Sequence, residues 1–185
     1  HPDVDKIAFT GSTAVGIGIQ QKAAGTTKRV TLELGGKSPN VIFEDADLKQ
    51  ALRGAMTGIF YNKGEVCAAG SRLLVQRSIY DDVCEQLATM AAKFVPGDPS
   101  SARMGPVASK AQYDSVLDWI EKGKAEGARC ISGGAAHEVE SGKGYYIQPT
   151  VFADVDNAMS IAQEEIFGPV LAVIPFDDEA DAIAI

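Results

Sequence analysis

The sequence predicts an α/β protein with a largely parallel sheet flanked by helices. Two patterns point there. Short segments that alternate apolar and polar residues recur along the chain, and between them lie segments with the apolar stripe of a 3.6-residue period. Strands that alternate with helices in this way are joined most simply as β-α-β units. The bulk composition agrees: 185 residues, 45% hydrophobic and 23% charged, are ordinary values for a folded chain. At this length about 70% of the unfolded surface can be buried, enough for one sizeable core or two small ones.

The elements follow in order. Residues 6 to 10 read as a strand, turned by Gly11-Ser12-Thr13 into a helix over 13 to 24. Residues 29 to 34 alternate and carry β-branched side chains, so they read as a second strand. Gly35-Gly36 breaks the pattern and marks the border between two structural units, 1–34 and 35–185. A third strand is expected at 40 to 43. The clearest helix spans 48 to 60, with apolar residues at 48, 51, 52, 55, 56, 59 and 60 on one face. Asp47 suits its N-cap and Gln50 the capping-box partner. A strand is expected at 72 to 76. Ser78 is then expected to cap a helix that faces Ile79, Val83, Leu87, Met90 and Phe94 inward and stops at Pro96-Gly97-Asp98-Pro99. Ser109 and Gln112 open another helix, carrying Tyr113, Val116, Leu117 and Ile120, which Gly127 ends. Strands near 129–132, 145–152 and 170–176 complete the set, and a last helix begins at about 182. No internal repeat and no low-complexity tract interrupts them.

Charge and residue usage narrow the function. Seventeen Lys+Arg against 25 Asp+Glu leave a net charge of −8. Nucleic acid is thereby disfavoured, since a phosphate-binding surface needs excess cations, and the longest basic run is the pair Lys28-Arg29. No apolar stretch reaches the 18 or so residues that cross a bilayer, and the start has no signal-peptide pattern. Three cysteines, Cys67, Cys84 and Cys130, suit free thiols in a reducing, cytoplasmic setting better than a disulfide framework. Two histidines cannot build a His-rich metal site, and no metal is expected. The missing initiator Met and the apolar run 182–185 suggest a piece of a longer polypeptide.

Several motifs carry possible chemistry. Gly11-Ser12-Thr13-Ala14-Val15-Gly16 lies between a strand and a helix, where backbone N–H groups can hold a phosphate; a plain strand–helix turn fits as well. It matches neither a P-loop nor the dinucleotide fingerprint, since Gln21 stands where the third Gly belongs. Gly36-Lys37-Ser38 is no Walker A motif, because position 31 is Thr. Cys67 sits among small residues in Asn62-Lys63-Gly64-Glu65-Val66-Cys67-Ala68-Ala69-Gly70-Ser71, which suits either an exposed thiolate nucleophile or a small buried hydrophobe. Cys84 and Cys130 read as packing residues. Glu33, between Leu32 and Leu34, is either a buried carboxyl raised toward general-base work or a solvent-facing strand end. Glu164-Glu165-Ile166-Phe167-Gly168-Pro169 reads by spacing as a solvated loop.

Taken together, these segments resemble the aldehyde dehydrogenase superfamily. Phe9-Thr10-Gly11-Ser12-Thr13, Leu32 to Asn40, Asn62 to Arg72 around Cys67, and Glu164 to Pro169 occur in the family's order across nearly the whole chain. The resemblance implies an aldehyde-dehydrogenase-like catalytic domain over 35–185, truncated at its C-terminus, preceded over 1–34 by a βαβ remnant of a Rossmann-like cofactor domain. It implies NAD(P)-dependent oxidation of an aldehyde, with Cys67 attacking the carbonyl and Glu33 activating the water that releases the acid from a thioester. It further implies that Gly11 and Ser12 approach the dinucleotide, that Glu165 binds the nicotinamide ribose hydroxyls and that Phe167 packs beside that ribose. The family's oxyanion Asn, its adenosine-ribose Lys and the acid that helps choose NAD or NADP fall outside the segment, as does the strand that pairs with a neighbouring subunit in a homo-oligomer. Two other readings stand beside it: a cofactor-independent cysteine esterase or acyl transferase using Cys67 and Glu33, and a fragment or structural module without catalysis of its own.

Overall fold

A computed structural model describes residues 1–139 and 142–185. The chain divides into two compact units, His1–Gly36 and Lys37–Ile185.

In the first unit, β1 (Lys6–Thr10) and β2 (Arg29–Glu33) pair in parallel, from Lys6 opposite Arg29 to Thr10 opposite Glu33. The connection is α1 (Thr13–Ala23). Gly16 is buried because the helix settles onto Leu34: a Cβ there would lie 2.5 Å from a Leu34 methyl.

The second unit is built on a five-stranded sheet in the order β3-β4-β7-β6-β5. Its strands are β3 (Pro39–Ile42), β4 (Arg72–Gln76), β5 (Arg129–Ser132), β6 (Thr150–Ala153) and β7 (Val170–Phe176). Neighbours run parallel except β5 against β6. The central strands are covered on both faces and so read as near-continuous apolar runs. Their period of two divides the side chains between two cores. Leu73, Val75, Val151, Ala153, Leu171 and Val173 face α2 (Leu48–Phe60) and α3 (Tyr80–Ala91). Leu74, Phe152, Val170, Ala172 and Ile174 face the other way, toward Val116 and Ile120 of α4 (Lys110–Ala125) and Ile161 of α5 (Ser160–Gln163). A short α6 (Glu179–Ala184) follows β7. Among the described residues no helix is long and apolar enough to cross a membrane.

Local chemistry sets the element ends. Asp47 caps α2 by accepting from the Gln50 N–H at 3.2 Å, and its second carboxylate oxygen accepts from the Gln50 side-chain amide at 2.8 Å. Ser109 caps α4 by accepting from the Gln112 N–H at 3.2 Å. Ser78 caps nothing: its hydroxyl donates to Glu44 at 2.6 Å, and residues Arg77–Ile79 form a 3-10 turn before α3. Asp81 and Asp82 in the first turn supply the negative charge that the α3 N-terminus favours. The helix also stops at Ala91, before the Pro-Gly signal, because tighter turn bonds from Lys93 and Phe94 close it. Phe94 then turns back to pack its ring 5.7 Å from that of Phe60. The strand expected over 145–152 shrinks to Thr150–Ala153, with Ile147 held only in an isolated bridge to Ala136. Cys84 is buried and Cys130 half-buried, both in packing positions.

Candidate active site

The residues singled out from the sequence fall in both units. In the first, Gly11, Ser12 and Glu33 gather at the carboxyl ends of β1 and β2, the side where open parallel sheets receive ligands. The Gly11 N–H donates to the Glu33 carbonyl at 3.0 Å. A Cβ on Gly11 would lie 2.5 Å from the Phe9 ring, so the position needs glycine unless that ring moves. Ser12 occupies the N-cap of α1, yet its hydroxyl makes no capping hydrogen bond, and no acidic residue sits in the first helical turn. An anionic group therefore meets no like charge on the helix there. The Glu33 side chain is exposed.

In the second unit the motifs lie at the amino ends of β3, β4 and β7. The chain leaves α2 through Tyr61–Gly64, a turn whose last three residues are left-handed: Asn62 at φ 47°, Lys63 at 61° and Gly64 at 75°. Asn is the non-glycine residue best suited to that region, and its side-chain amide donates to the Glu65 carbonyl at 2.9 Å. At Gly64 a Cβ would stand 2.1 Å from the Gly168 carbonyl oxygen, so only glycine fits. Next comes a tight turn closed by the Ala69 N–H donating to the Val66 carbonyl at 3.0 Å. That bond uses neither the Cys67 nor the Ala68 N–H. Cys67 is exposed at the tip, and the small Ala68, Ala69 and Gly70 leave space around the sulfur.

The Glu164 to Pro169 loop joins α5 to β7. Glu164 is exposed, Glu165 half-buried and Ile166 buried. Phe167 adopts φ 55°, uncommon for a bulky side chain, and its ring remains 39% exposed. The main chain is held there by Gln112 of α4, whose amide donates to the Ile166 carbonyl at 3.0 Å and the Phe167 carbonyl at 2.7 Å. Gly168 lies against Val116, one helical turn beyond Gln112.

Three residues of this region escaped sequence reasoning: Lys37, Glu65 and Gln112. In the sequence Lys37 appears in the rejected Walker A match and inside the Leu32 to Asn40 stretch, with no role of its own. Its ammonium nitrogen is buried, with no hydrogen-bond partner among the described residues. Burial first, and then the Arg72 guanidinium, push its pKa down to about 8, against the opposing pull of Glu165 and Glu164. Gln112 was legible as a cap neighbour, but only the fold shows its side chain turned away to Ile166 and Phe167. Glu65 carried no sequence signal beyond its place beside the cysteine. Among the described residues no group of three or more His, Cys, Asp or Glu could hold a metal ion.

Such a site offers an exposed thiol on a turn whose closing hydrogen bond does not use the Cys67 or Ala68 N–H, next to a loop bearing a carboxylate and an aromatic ring. It suits covalent attack on an electrophilic carbon with stabilisation of the resulting oxyanion.

Comparison with known proteins adds family context. The profile of the aldehyde dehydrogenase family matches residues 1–185. A betaine aldehyde dehydrogenase of Sinorhizobium fredii is 52% identical over 186 residues, covering 100% of the chain and 38% of that protein. Aldehyde dehydrogenase family 2 member C4 of Arabidopsis thaliana is also 52% identical, over 99% of the chain and 36% of its own length. Among solved structures, an NAD+ complex of an aldehyde dehydrogenase from Bacillus cereus superposes with a TM-score of 0.95 at 49% identity, covering 100% of the chain and 37% of that structure. The chain thus spans a little over a third of the length of the proteins it matches.

Proposed function

The chain belongs to the aldehyde dehydrogenase family, and from that membership we propose that it carries the nucleophile and part of the cofactor site of an NAD- or NADP-dependent enzyme that oxidises an aldehyde to a carboxylic acid. The observation that carries this reading is the exposed Cys67 on a turn whose own hydrogen bond leaves the adjoining amides unused.

In this reading the Cys67 thiolate adds to the aldehyde carbon, forming a thiohemiacetal whose oxygen is met by the backbone N–H groups of the turn. Such preorganised donors are worth about 2.7–4 kcal/mol each in comparable acyl-transfer sites. The nicotinamide cofactor supplies the acceptor for the hydride that leaves the substrate carbon. Glu33 takes a proton from the water that cleaves the resulting thioester, which restores the Cys67 sulfur and releases the acid. Ser12 and the first turn of α1 contact the pyrophosphate, and Gly11 permits close approach of the dinucleotide to the backbone. Glu165 accepts hydrogen bonds from the nicotinamide ribose hydroxyls, with Phe167 beside that sugar. The absence of first-turn acids on α1 and the bare Ser12 hydroxyl fit a phosphate there. Residues 1–34 then belong to the cofactor domain and 35–185 to the catalytic domain. The name of one relative, a betaine aldehyde dehydrogenase, supports a small-molecule aldehyde as the substrate. Unpaired cysteines suit a reducing cytoplasm, and the working form is a homo-oligomer.

The test is Cys67→Ala in the protein that carries this chain. Aldehyde-dependent NADH or NADPH formation is expected to fall to background. Retained turnover overturns the assignment. Glu33→Gln is expected to keep a rapid first turnover and slow the later ones; equal loss in both phases removes Glu33 from the hydrolytic step.

A further inference from the structure

The nucleophile turn and the Glu165–Phe167 loop belong to a closed circuit of contacts within the second unit. Glu65, two residues before the nucleophile, is the least conspicuous link. Its side chain is 7% exposed. One carboxylate oxygen accepts from the Ala108 N–H at 2.9 Å, and the other lies 3.3 Å from the Lys63 ammonium, itself only 18% exposed. Ala108 directly precedes Ser109, the N-cap of α4. One turn into that helix, Gln112 holds the Ile166 and Phe167 carbonyls. The next residue, Gly168, returns to the start, because its carbonyl oxygen packs against Gly64 with no room for a Cβ between them.

We propose that Glu65 is a positioning residue: by accepting the Ala108 N–H it fixes the Cys67 turn to the start of α4 and so, through Gln112, sets the distance between the nucleophile and the Glu165–Phe167 loop. The inference rests on the assignment of Cys67 as nucleophile. The circuit explains two local oddities. Lys63 is held left-handed although it is neither glycine nor asparagine, and Phe167 is held so although it is bulky; each such residue costs of order 1–3 kcal/mol and persists only where its surroundings over-determine it. The circuit supplies that over-determination at both ends. What matters at position 65 is an acceptor oxygen at the right reach. The negative charge pairs with the neighbouring Lys63 and strengthens the Ala108 bond without being required for it.

The chemistry separates this role from acid–base work by Glu65. Glu65→Gln keeps an acceptor oxygen for Ala108 and loses the charge. Glu65→Leu keeps the volume and loses the acceptor. In the protein that carries this chain, kcat and the KM for NAD(P) are measured per reactive thiol, counted by stoichiometric iodoacetamide labelling. Glu65→Gln is expected within about threefold of the parent in kcat. Glu65→Leu is expected to lose about tenfold or more, since small misplacements of reacting groups cost up to about 100-fold. Gln112→Leu is expected to lower kcat and raise the KM for NAD(P). The double variant Glu65→Leu/Gln112→Leu is expected to be little worse than the poorer single one, because one break already opens the circuit. If Glu65→Leu does not fold, Glu65→Asp, with its oxygen drawn back by one methylene, takes its place with the same expected loss. The proposal is overturned if Glu65→Gln falls as far as Glu65→Leu, if Glu65→Leu matches the parent, or if the two single losses multiply. Turnover by Cys67→Ala overturns the nucleophile assignment instead, so the two failures are distinguishable.

Discussion

Replacing Lys37 by Met is expected to stabilise the fold at neutral pH, which is unusual for a residue beside a functional loop. The amine is buried and makes no hydrogen bond to any of the described residues. The drop in its pKa from 10.5 to about 8 corresponds to roughly 3 kcal/mol, at about 1.4 kcal/mol per pH unit. That cost is borne by the folded state wherever the native amine is protonated. Below pH 8 the amine is charged in both states, and folding carries the whole penalty. Between pH 8 and 10.5 the native amine gives up its proton while the unfolded chain keeps it, so this group's contribution to stability rises with pH across that window and then levels. Methionine has similar length and no charge to desolvate. Lys37→Met is therefore expected to gain up to about 3 kcal/mol at pH 7, since the lowered pKa already includes the attraction of Glu164 and Glu165 that is lost with the charge. The gain should shrink toward zero by pH 10.5. Urea unfolding of parent and variant at several pH values, followed by circular dichroism, reads the difference directly, and titrations common to both cancel. A variant no more stable than the parent at pH 7, or a gain that ignores pH, would refute the reasoning.

Two further outcomes follow from packing and hydrogen bonding. Gly64→Ala is expected to lose about 2 kcal/mol or more, because a left-handed residue with a Cβ costs about 1–2 kcal/mol and the Gly168 carbonyl must also move; thermal melting measures the loss, and an unchanged midpoint would contradict the close approach. Tyr80→Phe removes the hydroxyl that donates to the Val173 carbonyl at 3.2 Å and accepts from the Asp154 N–H at 2.7 Å. It is expected to destabilise by about 1–3 kcal/mol in a denaturant titration, with the slope of the transition unchanged.

Elements with their own local reasons were legible in the sequence. The amphipathic stripe of 48–60 and the cap at Asp47 needed nothing from the rest of the chain, and α2 forms from Leu48 to Phe60. The same holds for β1, β4 and β7, whose residue types suit a pleated strand wherever it is buried. Ser78 shows the opposite case: its hydroxyl had a local use as a cap, but Glu44, 34 positions away, takes it. The short α5 was missed because four residues carry no period to detect. In the candidate site, Cys67 and Glu165 could be singled out by residue type and family pattern. Glu65, Gln112 and Lys37 could not, because their roles consist of partners brought close only by the sheet order.

That order also governs how the second unit comes together. Its central strand β7 pairs with β4, setting Ala172 opposite Arg72, a hundred positions earlier in the chain. Loop-closure entropy must be met before such a pairing returns any contact energy, so parallel sheets of this kind form slowly. Until β7 arrives, β4 presents an apolar edge with unsatisfied amides and carbonyls, the kind of surface that recruits other nascent chains. Recovery of native protein after dilution from denaturant should therefore fall as chain concentration rises, and assistance from a chaperone should help most in the interval before residues 170–176 dock.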